Sequence, residues 1–143
     1  PRLEAMGFET RIVENTDPAG GPFLLASRHE GADLPTLLHY GHGDTVHGQA
    51  GLWDDNRDPF AVTRAGTRIY GRGTADNKGQ HLINLMAMEA VLATRGSLGF
   101  NAKWVIETSE ETGSAGLAAC FEAEREALRA DVLSASDGPR LQP

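Results

Sequence analysis

Four short stretches of the chain set metal-type donors among small residues: His42 and Asp44 in GHGDTV, Asp76 in GRGTADNKG, Glu110 and Glu111 in SEETGS, and Asp137 in SASDGP. Imidazole and carboxylate are the donors that Zn2+ prefers after thiolate. A pair of ions about 3.5 to 4 Å apart needs terminal ligands on each ion, a carboxylate between them and an open position for water. In that arrangement His42 supplies the imidazole, Asp76 the bridging carboxylate, and Glu111 and Asp137 one terminal carboxylate each. Glu110, beside Glu111, is left over to take the proton of the water. Six residues follow Asp137, so a further ligand is expected to lie beyond this chain.

Each stretch also has a plainer reading. A lone histidine after a strand is more often structural than ligating, but Asp44, two residues on, can accept the second ring proton of His42, which favours a ligand. His29, His39, His47 and His81 lack such support, and His47 is read as non-ligating despite its closeness to His42. GRGTAD resembles a phosphate-binding loop, yet Asp76 stands at its third glycine position and no Gly-Lys-Ser/Thr follows. Glu110 and Glu111 alone would pass for a solvated pair at a helix start, and Asp137 before Gly138 for the opening of a turn. Trp53, Asp54 and Asp55 read as part of a cleft wall, and Cys120 as a buried, inert thiol.

The elements that must position these groups alternate between strand and helix. Residues 8–14 and 23–29 are short β-type runs around a turn-rich segment, a hairpin. Residues 37–40 form a nearly continuous apolar run ending at Gly41 and His42, as expected of a buried strand that delivers a ligand from its carboxyl end. Residues 47–59 read as a loop and 62–70 as a second small hairpin. The spacing predicts a helix over 78–95 with Leu82, Leu85, Met86, Met88, Val91 and Leu92 on its apolar face and Gly96 as its stop. Residues 103–108 form the next strand. Ser114 is expected to cap a helix whose Leu117, Cys120, Phe121, Glu124 and Leu128 recur at helical spacing, and residues 131–135 form the last strand. His42, Glu111 and Asp137 thus fall just past strand ends, the edge of an open α/β sheet where ligands gather, and Asp76 just before a helix.

GHGDTV, YGRGTADNKGQ, EETGSAGL and SASDGP, in this order, resemble the successive signatures of the co-catalytic zinc peptidase family that includes aminoacylases, acetylornithine deacetylases, succinyl-diaminopimelate desuccinylases and carnosine-type dipeptidases. The resemblance implies a dizinc metallopeptidase or deacylase that cuts amide bonds in dipeptides or N-acyl amino acids. It places His42 and Asp137 on one Zn2+, Glu111 on the other and Asp76 between them, with Co2+ or Mn2+ as alternative ions. Asp44 steers His42, and Glu110 is the general base and acid. The implied fold is α/β, a three-layer α/β/α sandwich with a mixed sheet. Residues 1–143 would be the N-terminal part of the catalytic domain, without its distal half, the remaining histidine ligand or the lid domain. The whole protein would be a homodimer through that lid, and the isolated chain would hold at most one ion and turn nothing over. The alternative is a catalytically inactive metal-binding relative with a receptor or regulatory role, for which the retained Glu110 would have no use.

Composition narrows the classes further. In 143 residues, 40% are hydrophobic and 23% charged, which suits one globular core. A net charge of -7 and the absence of any run among 13 basic residues disfavour a nucleic-acid partner. The single cysteine cannot form an internal disulfide, and no segment is apolar enough to span a membrane or serve as a leader, so a cytoplasmic location is expected.

Overall fold

A computed structural model describes residues 1–138. Its centre is a five-stranded mixed sheet in the order β1-β2-β6-β3-β7, comprising β1 (Glu9–Val13), β2 (Phe23–Arg28), β3 (Thr36–His42), β6 (Asn101–Glu107) and β7 (Val132–Ala135). The hairpin β1-β2 is antiparallel, as is the β2-β6 pair, while β3 runs parallel to both β6 and β7. A separate ribbon pairs β4 (Thr63–Ala65) with β5 (Arg68–Tyr70), the expected second hairpin.

Side chains of β2 and β6 alternate between two cores, as the period of two in a pleated strand requires. Ala26, Ala102 and Trp104 join Leu3, Met6, Phe8, Met88 and Leu98 on the face covered by α1 (Arg2–Ala5) and α2 (Lys78–Arg95). Phe23, Leu25, Leu38 and Val105 join Cys120 and Leu128 on the other face, under α3 (Leu117–Ala123) and α4 (Arg125–Leu128). Helix, sheet and helix therefore form three layers. At the base of β3 the buried Asn101 accepts the backbone N–H groups of Glu30 and Gly31 and donates to the carbonyls of Gly31 and Leu34. One side chain thus fixes the loop that launches the ligand-bearing strand.

The long helix coincides with its predicted span, and Gly96 ends it in the left-handed region at φ 76°. Its inward face differs from the predicted one. Leu82 and Met86 are exposed, together with Ile83, whereas His81 and Met88 are buried and Leu85, Val91 and Leu92 pack against the core. Counting apolar residues misplaces the stripe because a buried histidine takes the first inward position. The predicted helix after Ser114 is instead two short helices meeting at Glu124, whose carboxylate pairs with Arg11 on β1. Ser114 does not cap α3, whose N-cap is Gly116; its hydroxyl donates to Glu107 at 2.9 Å.

Candidate metal centre

Because β3, β6 and β7 are parallel, their carboxyl ends share one edge of the sheet. His42 is the last residue of β3, Glu110 and Glu111 lie in a short turn (Glu110–Thr112) after β6, and Asp137 follows β7. Asp76 approaches from the loop before α2. The peptide bond from Asp76 to Asn77 is cis.

His42 is fully buried, and its Nε2 faces three carboxylates: Asp76 Oδ1 at 2.9 Å, Asp137 Oδ2 at 3.5 Å and Glu110 Oε2 at 3.8 Å. Its Nδ1 lies 3.2 Å from Asp44 Oδ1. A proton on Nδ1, held by Asp44, leaves the Nε2 lone pair aimed at acceptor oxygens. That arrangement is repulsive unless a positive charge sits among them. Without a cation these neighbours favour a proton on the ring: burial pulls the His42 pKa down, but the hydrogen bond to Asp76 and the charges of Asp137, Asp44 and Glu110 raise it overall. A divalent cation meets the same demand. Donor atoms of His42, Asp76 and Asp137 all lie within 4.8 Å of one another. Tetrahedral zinc with bonds near 2.0 to 2.1 Å sets its ligand atoms about 3.4 Å apart, so the three residues fit such an ion.

Glu110 is half-buried beside this group, and its pKa is raised, first by burial and further by Asp137, Glu111 and Asp76, against the opposing pull of His42. Glu111 stands apart from the triad. Its Oε1 accepts the backbone N–H of Val46 at 3.2 Å, and it lines, with Asp76, a cavity of about 280 Å³ also bordered by Trp53, Tyr70 and Arg72. Asp76 therefore touches both places, the His42 triad on one side and the cavity with Glu111 on the other. Trp53 belongs to this wall as expected, held by an indole N–H donated to the Gly48 carbonyl at 2.8 Å and flanked by the Arg72 guanidinium. Asp54 and Asp55 do not line it. His47 is exposed and outside the triad, and Cys120 is buried with its thiol pKa pushed up, first by burial.

Several contacts that hold the site escaped sequence reasoning. Asp44 accepts the backbone N–H groups of Glu110 and Glu111 at 3.2 and 3.1 Å, tying the β3 loop to the β6 loop. Glu107, fully buried, accepts from the Tyr40 hydroxyl and from Ser114, pinning both ends of the turn that carries the two glutamates. Burial, followed by this carboxylate, pushes the Tyr40 pKa upward. A carboxylate directly after the apolar run Trp104, Val105 and Ile106 was the available signal for Glu107. His81, one turn into α2, donates its Nε2–H to the His42 carbonyl at 2.9 Å.

This arrangement defines a metal-binding α/β domain, and comparison with known proteins gives its family. The profile described as peptidase family M20/M25/M40 matches residues 38–142. The chain is 33% identical over 139 residues to a cysteinylglycine-S-conjugate dipeptidase of Corynebacterium striatum, covering 96% of this chain and 30% of the relative. It is 39% identical to an acetylornithine deacetylase of Salmonella arizonae, covering 96% of this chain and 34% of the relative. Among solved structures, an M20 family metallo-carboxypeptidase from Sulfolobus solfataricus superposes with a TM-score of 0.86 at 31% identity, over 99% of this chain and 31% of that one. The chain belongs to the M20/M25/M40 peptidase family, and it spans about a third of the length of the relatives it matches.

Proposed function

We propose that the whole protein is a dizinc hydrolase of amide bonds in dipeptides or N-acyl amino acids, and that residues 1–143 are the N-terminal part of its catalytic domain. The observation that carries this reading is the fully buried His42 Nε2 facing Asp76, Asp137 and Glu110 at one sheet edge. The relatives support the bond type: a dipeptidase, a carboxypeptidase and a deacetylase all cleave an amide, with different groups on either side.

His42, Asp76 and Asp137 would hold one ion, and Asp76 with Glu111 would take part in holding the second. When bound, such ions supply Lewis acidity that polarises a carbonyl and makes water more acidic. Glu110, raised in pKa and free of metal in this scheme, takes the proton of the attacking water and returns it to the leaving amine. Asp44 keeps the Nδ1–H tautomer of His42, so that Nε2 remains a donor to metal. Trp53, Tyr70 and Arg72 line the cavity beside Asp76 and would receive the substrate. Glu110 also speaks against an inactive metal-binding relative, since binding alone needs no base there. A chain limited to residues 1–143 supplies three protein ligands to one ion and two to the other, so it should retain at most one.

The test is hydrolysis by the purified full-length protein of a panel of dipeptides and N-acyl amino acids, before and after a chelator and after zinc is restored. Turnover lost to the chelator and regained with zinc is expected. Zinc-loaded protein that hydrolyses neither class would overturn the reading.

A further inference from the structure

Asn77 sits at the N-cap of α2, yet its side chain makes no capping hydrogen bond, although asparagine is among the residues best suited to that task. It is fully buried. Its Oδ1 accepts the backbone N–H of His42 at 3.2 Å, and its Nδ2 donates to the backbone carbonyl of Ser136 at 2.9 Å and to Gln80 Oε1. With an N–H on one side and two acceptors on the other, the orientation of the amide is fixed.

The location of these bonds gives them meaning. Strands β3 and β7 are paired only as far as Tyr40 and Ala135, and beyond that point the two chains part. Asn77 occupies the opening and bonds to both sides of it, as a peptide unit of an intervening strand would. The residues it grips are His42 itself and Ser136, the neighbour of Asp137, while Asp76 precedes Asn77 in the chain. All three members of the triad thus meet within one residue of a single amide. The other backbone group of His42, its carbonyl, is held by His81 from the same helix, and Asn84 adds a bond to the Ser136 hydroxyl at 2.8 Å. Gly41 makes room: a Cβ there would lie 1.6 Å from the His81 ring and 2.7 Å from Asn77 Oδ1.

We infer that Asn77 is a positioning residue that sets the separation of His42 and Asp137 by holding β3 and β7 one amide apart, and so shapes the His42, Asp76 and Asp137 site for its ion. The inference rests on the metal-site reading given above. Alanine at position 77 removes all three bonds, and aspartate keeps the shape and the acceptor but loses the donor to Ser136 and Gln80.

The test compares wild type, Asn77→Ala and Asn77→Asp in the full-length protein. Zinc affinity is measured by competition with a chromophoric chelator, the absorption spectrum is taken with Co2+ in place of zinc, and folding is followed by far-ultraviolet circular dichroism of the metal-free forms. Both variants should fold, bind zinc about 10- to 100-fold more weakly, as loss of a support behind metal ligands typically does, and give an altered cobalt spectrum. Unchanged affinity and spectrum would overturn the inference while leaving the metal site standing. Unfolding of both metal-free variants would also overturn it, by making Asn77 a determinant of the fold. A wild-type protein that binds neither ion would instead remove the metal-site reading itself.

Discussion

The Asp44 carboxylate lies 3.2 Å from Nδ1 of His42 while it also accepts the backbone N–H groups of Glu110 and Glu111. One side chain therefore fixes the tautomer of the imidazole and the distance from β3 to the turn bearing the two glutamates. Asp44→Asn keeps the size but replaces one acceptor oxygen by a donor, which cannot serve all three partners. Zinc affinity of the full-length variant should fall by about 10- to 100-fold. Competition with a chelator of known affinity measures this, and an unchanged constant would mean that the His42 ring is oriented by something else.

Glu110 lies 3.8 Å from His42 Nε2, close enough to serve chemistry at the site without being needed as a ligand. Glu110→Gln removes the base and preserves the shape. Turnover should drop by about a hundredfold to ten-thousandfold with metal content unchanged, the range for general acid and base groups. Elemental analysis alongside kinetics separates the outcomes: metal lost together with activity would make Glu110 a ligand.

Asp76 touches the His42 triad and also lines the cavity shared with Glu111. If it bridges two ions, Asp76→Ala should release both, whereas Glu111→Ala should weaken mainly one. Metal-to-protein ratios of dialysed variants decide the matter. Full retention in the Asp76 variant would exclude the bridge.

His39 supplies a pH test independent of metal. It is buried against Trp104, ring centroids 4.5 Å apart, and neither ring nitrogen has a partner. Burial, with repulsion from His81, lowers its pKa to about 4. The unfolded chain, with a histidine pKa near 6.5, binds a proton between those values that the folded chain refuses, so stability is full above about pH 6.5 and declines towards pH 4. The contribution is about 3 kcal/mol. The raised pKa of His42 works in the opposite sense over part of this range, so the effect is read as a difference. His39→Phe retains an aromatic ring against Trp104. Its stability from urea unfolding should gain on wild type by about that amount between pH 7 and pH 4, and a constant difference would show that His39 is not held neutral.

Much of the site was legible because chemistry and local period are written residue by residue. Donor types at His42, Asp76, Glu110, Glu111 and Asp137 are read directly. The span Lys78–Arg95 follows from helical spacing and a glycine stop. The apolar run before Gly41 and His42, and the SEETGS turn after β6, also mark the sheet edge where the ligands gather. The helix face was less legible, since a hydrophobic count cannot anticipate that His81 turns inward to bond the His42 carbonyl while Leu82 and Met86 face out.

The sequence by itself determined which groups are present, in what order, and on which kind of element each stands, because these depend on side-chain chemistry and on interactions within a few residues. Tertiary structure alone decided which groups meet. The parallel register of β3 with β6 and β7 brings His42 to Asp137 across 95 positions of chain, and the loop before α2 brings in Asp76, while Glu111 is drawn aside by the Val46 N–H. The role of Asn77 was decided there too. An asparagine before a helix reads as a cap in any sequence, and only the parting of two strands three dozen residues upstream and five dozen downstream gives its amide two backbones to hold.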